Sequence, residues 1–155
     1  MSSEFQGIQL TKNLKDNYGV FVTLKKKGNL RGCIGFIGPY APLYQGVMEN
    51  TISAASRDYR FPPVAKNEAK EIRIEISVLT NPQRVPHYTD ILPGRDGIIL
   101  KKENKSAVFL PQVLVEENWT LFTALRHLSQ KAGLYPEAWR EGAEFYTFRA
   151  QIFHE

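Results

Sequence analysis

Arg31 and Cys33 stand two positions apart in the run Leu30-Arg31-Gly32-Cys33-Ile34-Gly35, and in an extended strand residues two apart share a face. A guanidinium ~7 Å away along that face favours the thiolate, the nucleophilic and redox-active form of cysteine, so the pair predicts a thiol of lowered pKa. The opposing reading is a small core cysteine, with Gly32 and Gly35 letting backbones approach closely. Glu75 is a candidate general base if it is buried near Cys33, whereas strand alternation would put it on a solvated face. Asp58 and Arg60, beside Arg57, could hold an anionic ligand or pair locally at a helix end. Gln112 follows Pro111 and offers both donor and acceptor groups, for orienting a substrate or for satisfying loop backbone.

Other chemistries have less to work with. Cys33 is the only cysteine, so there is no partner for an intramolecular disulfide, no CxxC redox pair and no multi-thiolate zinc site. His87, His127 and His154 form no HxH or HxxxH pair, and no metal or other cofactor is expected. Gly94 and Gly97 precede a strand, whereas phosphate-binding glycine loops open helices, so they read as a turn. Twenty Lys and Arg against sixteen Asp and Glu give +4, dispersed apart from short runs at Lys25–Lys27 and Lys101–Lys102. Nucleic acid is therefore not the expected partner.

These residues must be positioned by a folded chain. At 155 residues, with 43% hydrophobic and 23% charged residues, the sequence supports one domain with a core and disfavours disorder. The longest apolar stretch, around Ala107 to Val115, is short and interrupted by Pro111 and Gln112, so no membrane span is expected. The first ten residues lack a signal-peptide pattern, which makes the cytoplasm the expected location.

Residues 1–18 read as a lead-in, and 19–155 as a single domain. Gly19–Lys27 and Asn29–Phe36 predict a hairpin turning at Gly28. Pro42 suits the first turn of a helix reaching about Arg60, with Tyr44, Met48, Ile52, Ala55 and Tyr59 as its inner stripe. Alternation over 71–80 predicts a strand with the isoleucines inside, and 81–96 reads as a connector with little regular structure. The order then repeats: strands 98–102 and 106–110, a helix over 120–132 capped by Thr120 and ended by Gly133, and one last strand over 145–153. The expected fold is α+β, with two small antiparallel-rich lobes (19–80 and 97–155), each built as hairpin, helix and strand and sharing one compact domain. Its core should contain Ile72, Ile74, Ile76, Val78, Phe148, Ala150 and Ile152.

The blocks LRGCIG, PLYQGV, AASRDYRFPPV, IEISVLT, GRDGI, FLPQV, KAGLYPEAW and FYTFRAQIF resemble the AMMECR-type domain, called AmmeMemoRadiSam system protein A in prokaryotes. The resemblance covers roughly 19–153 and implies a mixed α+β fold with two lobes, occurring beside a radical-SAM protein and a Memo-type metalloprotein. The family's signature falls on Leu30 to Gly35, and its acidic-Pro-Arg-Phe block on Asp58, Tyr59, Arg60 and Phe61, where Tyr59 departs from the usual proline. Ser129 stands where some relatives carry a second cysteine, so a required dithiol mechanism is excluded. Relatives typically have more helical sequence before the first strand.

Three functional readings follow. The first is an enzyme or substrate-handling component for an unidentified small molecule. It would use Cys33 as nucleophile or covalent carrier in an inter-lobe cleft, assisted by Arg31 and by Glu75 or Gln112. The second is a non-catalytic protein–protein adaptor, and the third a nucleic-acid-associated module using the basic hairpin tips.

Overall fold

Lys27 and Gly28 both take positive φ, 51° and 79°, the conformation of a two-residue turn whose twist matches that of the flanking strands. They close a hairpin between β1 (Gly19–Lys26) and β2 (Asn29–Phe36). The computed structural model describes residues 9–155, so the first eight positions of the expected lead-in lie outside the described residues. The remainder of the lead-in contains a four-residue helix, α1 (Lys12–Lys15). After the hairpin come α2 (Leu43–Ser56), a 3-10 turn and β3 (Ile72–Leu79). Then follow β4 (Gln83–Val85), β5 (Gly97–Lys102), β6 (Lys105–Phe109), α3 (Val113–Glu116), α4 (Leu121–Lys131), β7 (Glu144–Phe148) and β8 (Ala150–His154).

Among the described residues the strands form two four-stranded sheets, ordered β2-β1-β3-β8 and β4-β7-β5-β6. The pairs β1–β2, β4–β7, β5–β6 and β5–β7 are antiparallel, and the fold class is α+β as expected. The chain divides into two compact units, one running to Val78 and including Ile152–Glu155, the other Leu79–Gln151.

In the first unit α2 packs on the hairpin through small residues. Gly46, Asn50 and Ala54 are its buried positions, and Val22, Leu24 and Ala54 form a cluster joined by Ile34, Val47, Ala55, Val64, Ile72, Ile74 and Ile76. The expected stripe was rotated from this one. Ile52 is exposed, and Tyr59, 96% exposed, lies beyond the helix end. The reason is close approach: a β-carbon on Gly32 would overlap the Ala54 carbonyl oxygen, so only small side chains fit between helix and strand.

In β3 the periodicity identifies the strand but not the more buried face. Glu75 and Ser77, 7% and 0% exposed, and Leu79 are buried, whereas Ile72, Ile74, Ile76 and Val78 are half-buried. Alternation tells inside from outside only when one face meets water, and here both faces are covered. Of the other expected core positions, Phe148 is buried, while Ala150 and Ile152 are half-buried.

The second unit has its own core of Ile91, Ile98, Leu100, Leu114, Ala124, Leu125, Leu128, Trp139 and Phe145. Thr120 caps α4 by accepting the Thr123 amide hydrogen, and Gly133 takes φ 79° after its end, as the sequence predicts. Two expectations fail here. The connector contains β4 and a 3-10 turn at Tyr88–Asp90, because Gln83, Arg84 and Val85 pair with Thr147, Tyr146 and Phe145. The single last strand is two strands in different sheets, separated by Arg149.

Candidate functional site

β2 is an edge strand, so its outward N–H and C=O groups need partners other than a neighbouring strand. The segment after α2 supplies them. Cys33 N–H donates to Asp58 Oδ2 at 2.9 Å, and Arg60 Nη2 donates to the Cys33 carbonyl at 3.3 Å. Arg60 also grips Asp58 with both arms, Nε to Oδ1 at 2.9 Å and Nη2 to Oδ2 at 2.7 Å. An acceptor and a donor thus stand where an adjacent strand's backbone would be. Asp58 is 4% exposed. The Arg60 hydrogen bonds, helped by the backbone amides of Cys33 and Arg60, outweigh burial and hold its carboxyl far below the usual carboxylate range. Asp58 and Arg60 are therefore bonded to each other and to β2.

Arg31 has a similar occupation. Its Nε and Nη2 reach Glu68 at 3.0 and 2.9 Å, and its remaining bonds go to the carbonyls of Pro62 and Pro63. Arg31, the Ala65 amide and Lys26 bring the Glu68 carboxyl down to about 2. A bulge between Leu24 and Lys25 shifts the hairpin register and leaves Arg31 without a cross-strand partner. Its guanidinium is spent on Glu68 and the proline carbonyls.

The expected low thiol pKa is consequently corrected. Burial pushes the Cys33 thiol up, and the Thr23 hydrogen bond and Arg60 charge oppose this without overcoming it. Thr23 and Cys33 sit directly opposite in the register, with Oγ1 and Sγ 3.2 Å apart. The thiol is half-buried. Alkylation by iodoacetamide at pH 7 should therefore run slower than for free cysteine and accelerate toward pH 9.5, because only the thiolate reacts. A rate at pH 7 above that of free cysteine would show an activated thiol.

Glu75 is also enclosed, contrary to a solvated face. Its Oε2 receives Lys25 Nζ at 3.1 Å and lies 3.3 Å from His154 Nδ1, and its charge is felt at the thiol. Thr23, Lys25 and His154 were missed as site neighbours. The facing register of the hairpin could have revealed Thr23, whereas nothing in the local sequence connects His154 to Glu75. Ser77 Oγ is buried without a hydrogen-bond partner among the described residues.

Gln112 belongs to the second unit, just before α3, and its buried Oε1 likewise has no partner. The basic hairpin tip is neutralised: Lys25 pairs with Glu75, Lys26 with Glu68 and Glu71, and Lys27 with Glu71. His127 stacks on Trp119 with ring centroids 4.2 Å apart. Among the described residues no group of three or more His, Cys, Asp or Glu is placed to hold a metal ion, and no helix is long and apolar enough to cross a membrane.

Comparison with known proteins settles the kinship of this arrangement. The AMMECR1 family model matches residues 2–153. The chain belongs to the AMMECR1 family. Among its relatives, a Methanosarcina acetivorans protein is 42% identical over 154 residues, covering 96% of this chain and 77% of the relative. A Methanopyrus kandleri protein is 45% identical over 155 residues, covering 94% and 75%. The crystal structure of an uncharacterized protein from Pyrococcus horikoshii is 38% identical, with a TM-score of 0.88 over 98% of this chain and 82% of that one. The edge brace by Asp58 and Arg60 is thus seen here on an AMMECR1 fold.

Proposed function

We propose that this AMMECR1 chain is a cytoplasmic substrate-handling component acting beside a radical-SAM protein and a Memo-type metalloprotein, with Cys33 as its nucleophile or covalent carrier. One observation carries the reading. Cys33 and Thr23 meet on a sheet where Glu75 and Ser77 are also enclosed, and enclosing polar groups costs stability that an apolar face would not. A thiol held protonated must lose its proton before attacking; of the two carboxylates whose charge reaches it, Asp58 is held by Arg60, so we assign the proton to Glu75.

A second reading, a protein–protein adaptor, is favoured by Tyr59. It is 96% exposed between two residues that are both fastened, and a rigidly presented aromatic suits a docking anchor. Reconstitution with the two purified partner proteins and a small-molecule extract separates the readings. Substrate handling predicts a mass adduct on Cys33, and a product pattern abolished in Cys33→Ser while assembly persists. Adaptor action predicts assembly lost in Tyr59→Ala and unaffected by Cys33→Ser. If Cys33→Ser changes neither adducts nor products, the substrate-handling reading is wrong.

A further inference from the structure

The second unit contains a groove of about 460 Å³, lined by Thr80, Asn81, Gln83, Arg95, Asp96, Thr147, Phe148 and Arg149. Its volume falls within the ~300–1,000 Å³ range of small-molecule sites, and strands β4 and β7 supply Gln83, Thr147 and Phe148 while the loops beside them supply the rest. Gln83 and Thr147 are cross-strand partners on β4 and β7. Arg149 is tied to Thr80 in both directions: its amide donates to Thr80 Oγ1 at 2.8 Å, and its carbonyl accepts from the Thr80 amide at 2.9 Å.

The two arginines differ in a way that suits recognition. Arg95 is locked by buried Asp96, Nε to Oδ1 at 2.8 Å and Nη2 to Oδ2 at 2.9 Å, and Asp96 is itself anchored by the Leu92 amide at 2.9 Å. Among the described residues that leaves Nη1 of an oriented guanidinium without a partner, and a carboxylate that orients a binding group is a common means of preorganisation. Arg149 has a fixed backbone and an exposed side chain whose guanidinium makes no hydrogen bond or ion pair among the described residues, although its charge reaches the Asp96 carboxylate. Asn81 and Gln83 likewise present side-chain amides free of internal hydrogen bonds. Two guanidiniums against one carboxylate give the lining a net positive charge.

We infer that this groove binds a small polar molecule through an oxyanion, phosphate or carboxylate, held by Arg149 and Arg95, with Asn81, Gln83 and Thr147 contacting the rest of the ligand. The inference is independent of Cys33 and of the function proposed above.

Backbone amide NMR titration of the full chain with phenyl phosphate, benzoate and benzyl alcohol at fixed ionic strength tests it. Saturating shifts should centre on 80–83, 95–97 and 147–149 for at least one anion, and be absent for the alcohol. Saturation by phenyl phosphate alone identifies a phosphate site, by benzoate alone a carboxylate site, and by both a general oxyanion site. Arg149→Ala should weaken binding by about tenfold, ~1.4 kcal/mol. Its exposed side chain makes no internal bond, so its own amide spectrum should report an intact fold. Shifts that do not saturate, that spread equally over unrelated basic positions, or that persist unweakened in Arg149→Ala would overturn the assignment.

Discussion

Asp58→Ala should lower the melting temperature by roughly 5–15 °C, from a loss of about 2–4 kcal/mol at ~2–4 °C per kcal/mol for a chain of this size. The substitution removes the acceptor for Cys33 N–H and both side-chain bonds from Arg60 to Asp58, leaving Arg60 only its 3.3 Å bond to the Cys33 carbonyl. Arg60→Ala should cost less, because its side chain is 45% exposed and water can replace part of what is lost. The acid limb carries a second signature. Asp58 titrates lower in the folded chain than in the unfolded one, so its stabilisation is complete above the unfolded value of ~3.9 and lost as pH falls toward the folded one. The advantage of wild type over Asp58→Asn should be constant above about pH 5 and shrink below about pH 4. Calorimetry showing Asp58→Ala within ~0.5 kcal/mol of wild type, the range of ordinary surface changes, would mean that the brace contributes little.

Gly32→Ala should destabilise the chain by about 2–3 kcal/mol, near the upper end for overpacking. The added methyl would overlap the carbonyl oxygen of Ala54, which is helix backbone and cannot rotate aside. To make room α2 must move off the hairpin, stretching the bond from Asn50 Nδ2 to the Val20 carbonyl, already 3.4 Å. Gly35 is crowded from another side, by the Phe21 ring and the Val20 carbonyl. Both glycines of LRGCIG thus have a packing reason to be glycine. Urea unfolding at unchanged m-value is the measurement, and a midpoint equal to wild type would show that the helix accommodates the methyl without cost.

Legibility in the sequence followed the range of the interaction. The hairpin turn at Gly28, the Thr120 cap and the Gly133 stop are set by adjacent residues, and they stand where local rules place them. The α2 face differs from the expected one because helical spacing ranks apolar side chains, whereas the contact selects small ones. The candidate site was harder still. Cys33 and Asp58 are 25 positions apart and meet through a backbone amide, which leaves no periodic trace. The bulge beside Leu24 redirected Arg31 away from the role that alternation suggested. Glu75 stands out in the sequence as a candidate base, but its partners Lys25 and His154 come from a hairpin tip and a strand far along the chain.

The return of β8 to the first sheet has a consequence for the order of events during synthesis. Ile74 N–H is bonded to Glu155, 81 positions later, while β4 to β7 lie between them in the chain. A ribosome therefore delivers every strand of the second unit before it releases the last strand of the first. The unit that emerges first is finished last, and until then β3 has an open flank on which no neighbour is yet available. Such a long closure slows folding and exposes a pairing edge to other chains, so the nascent protein is most vulnerable to aggregation in the interval before β8 leaves the exit tunnel.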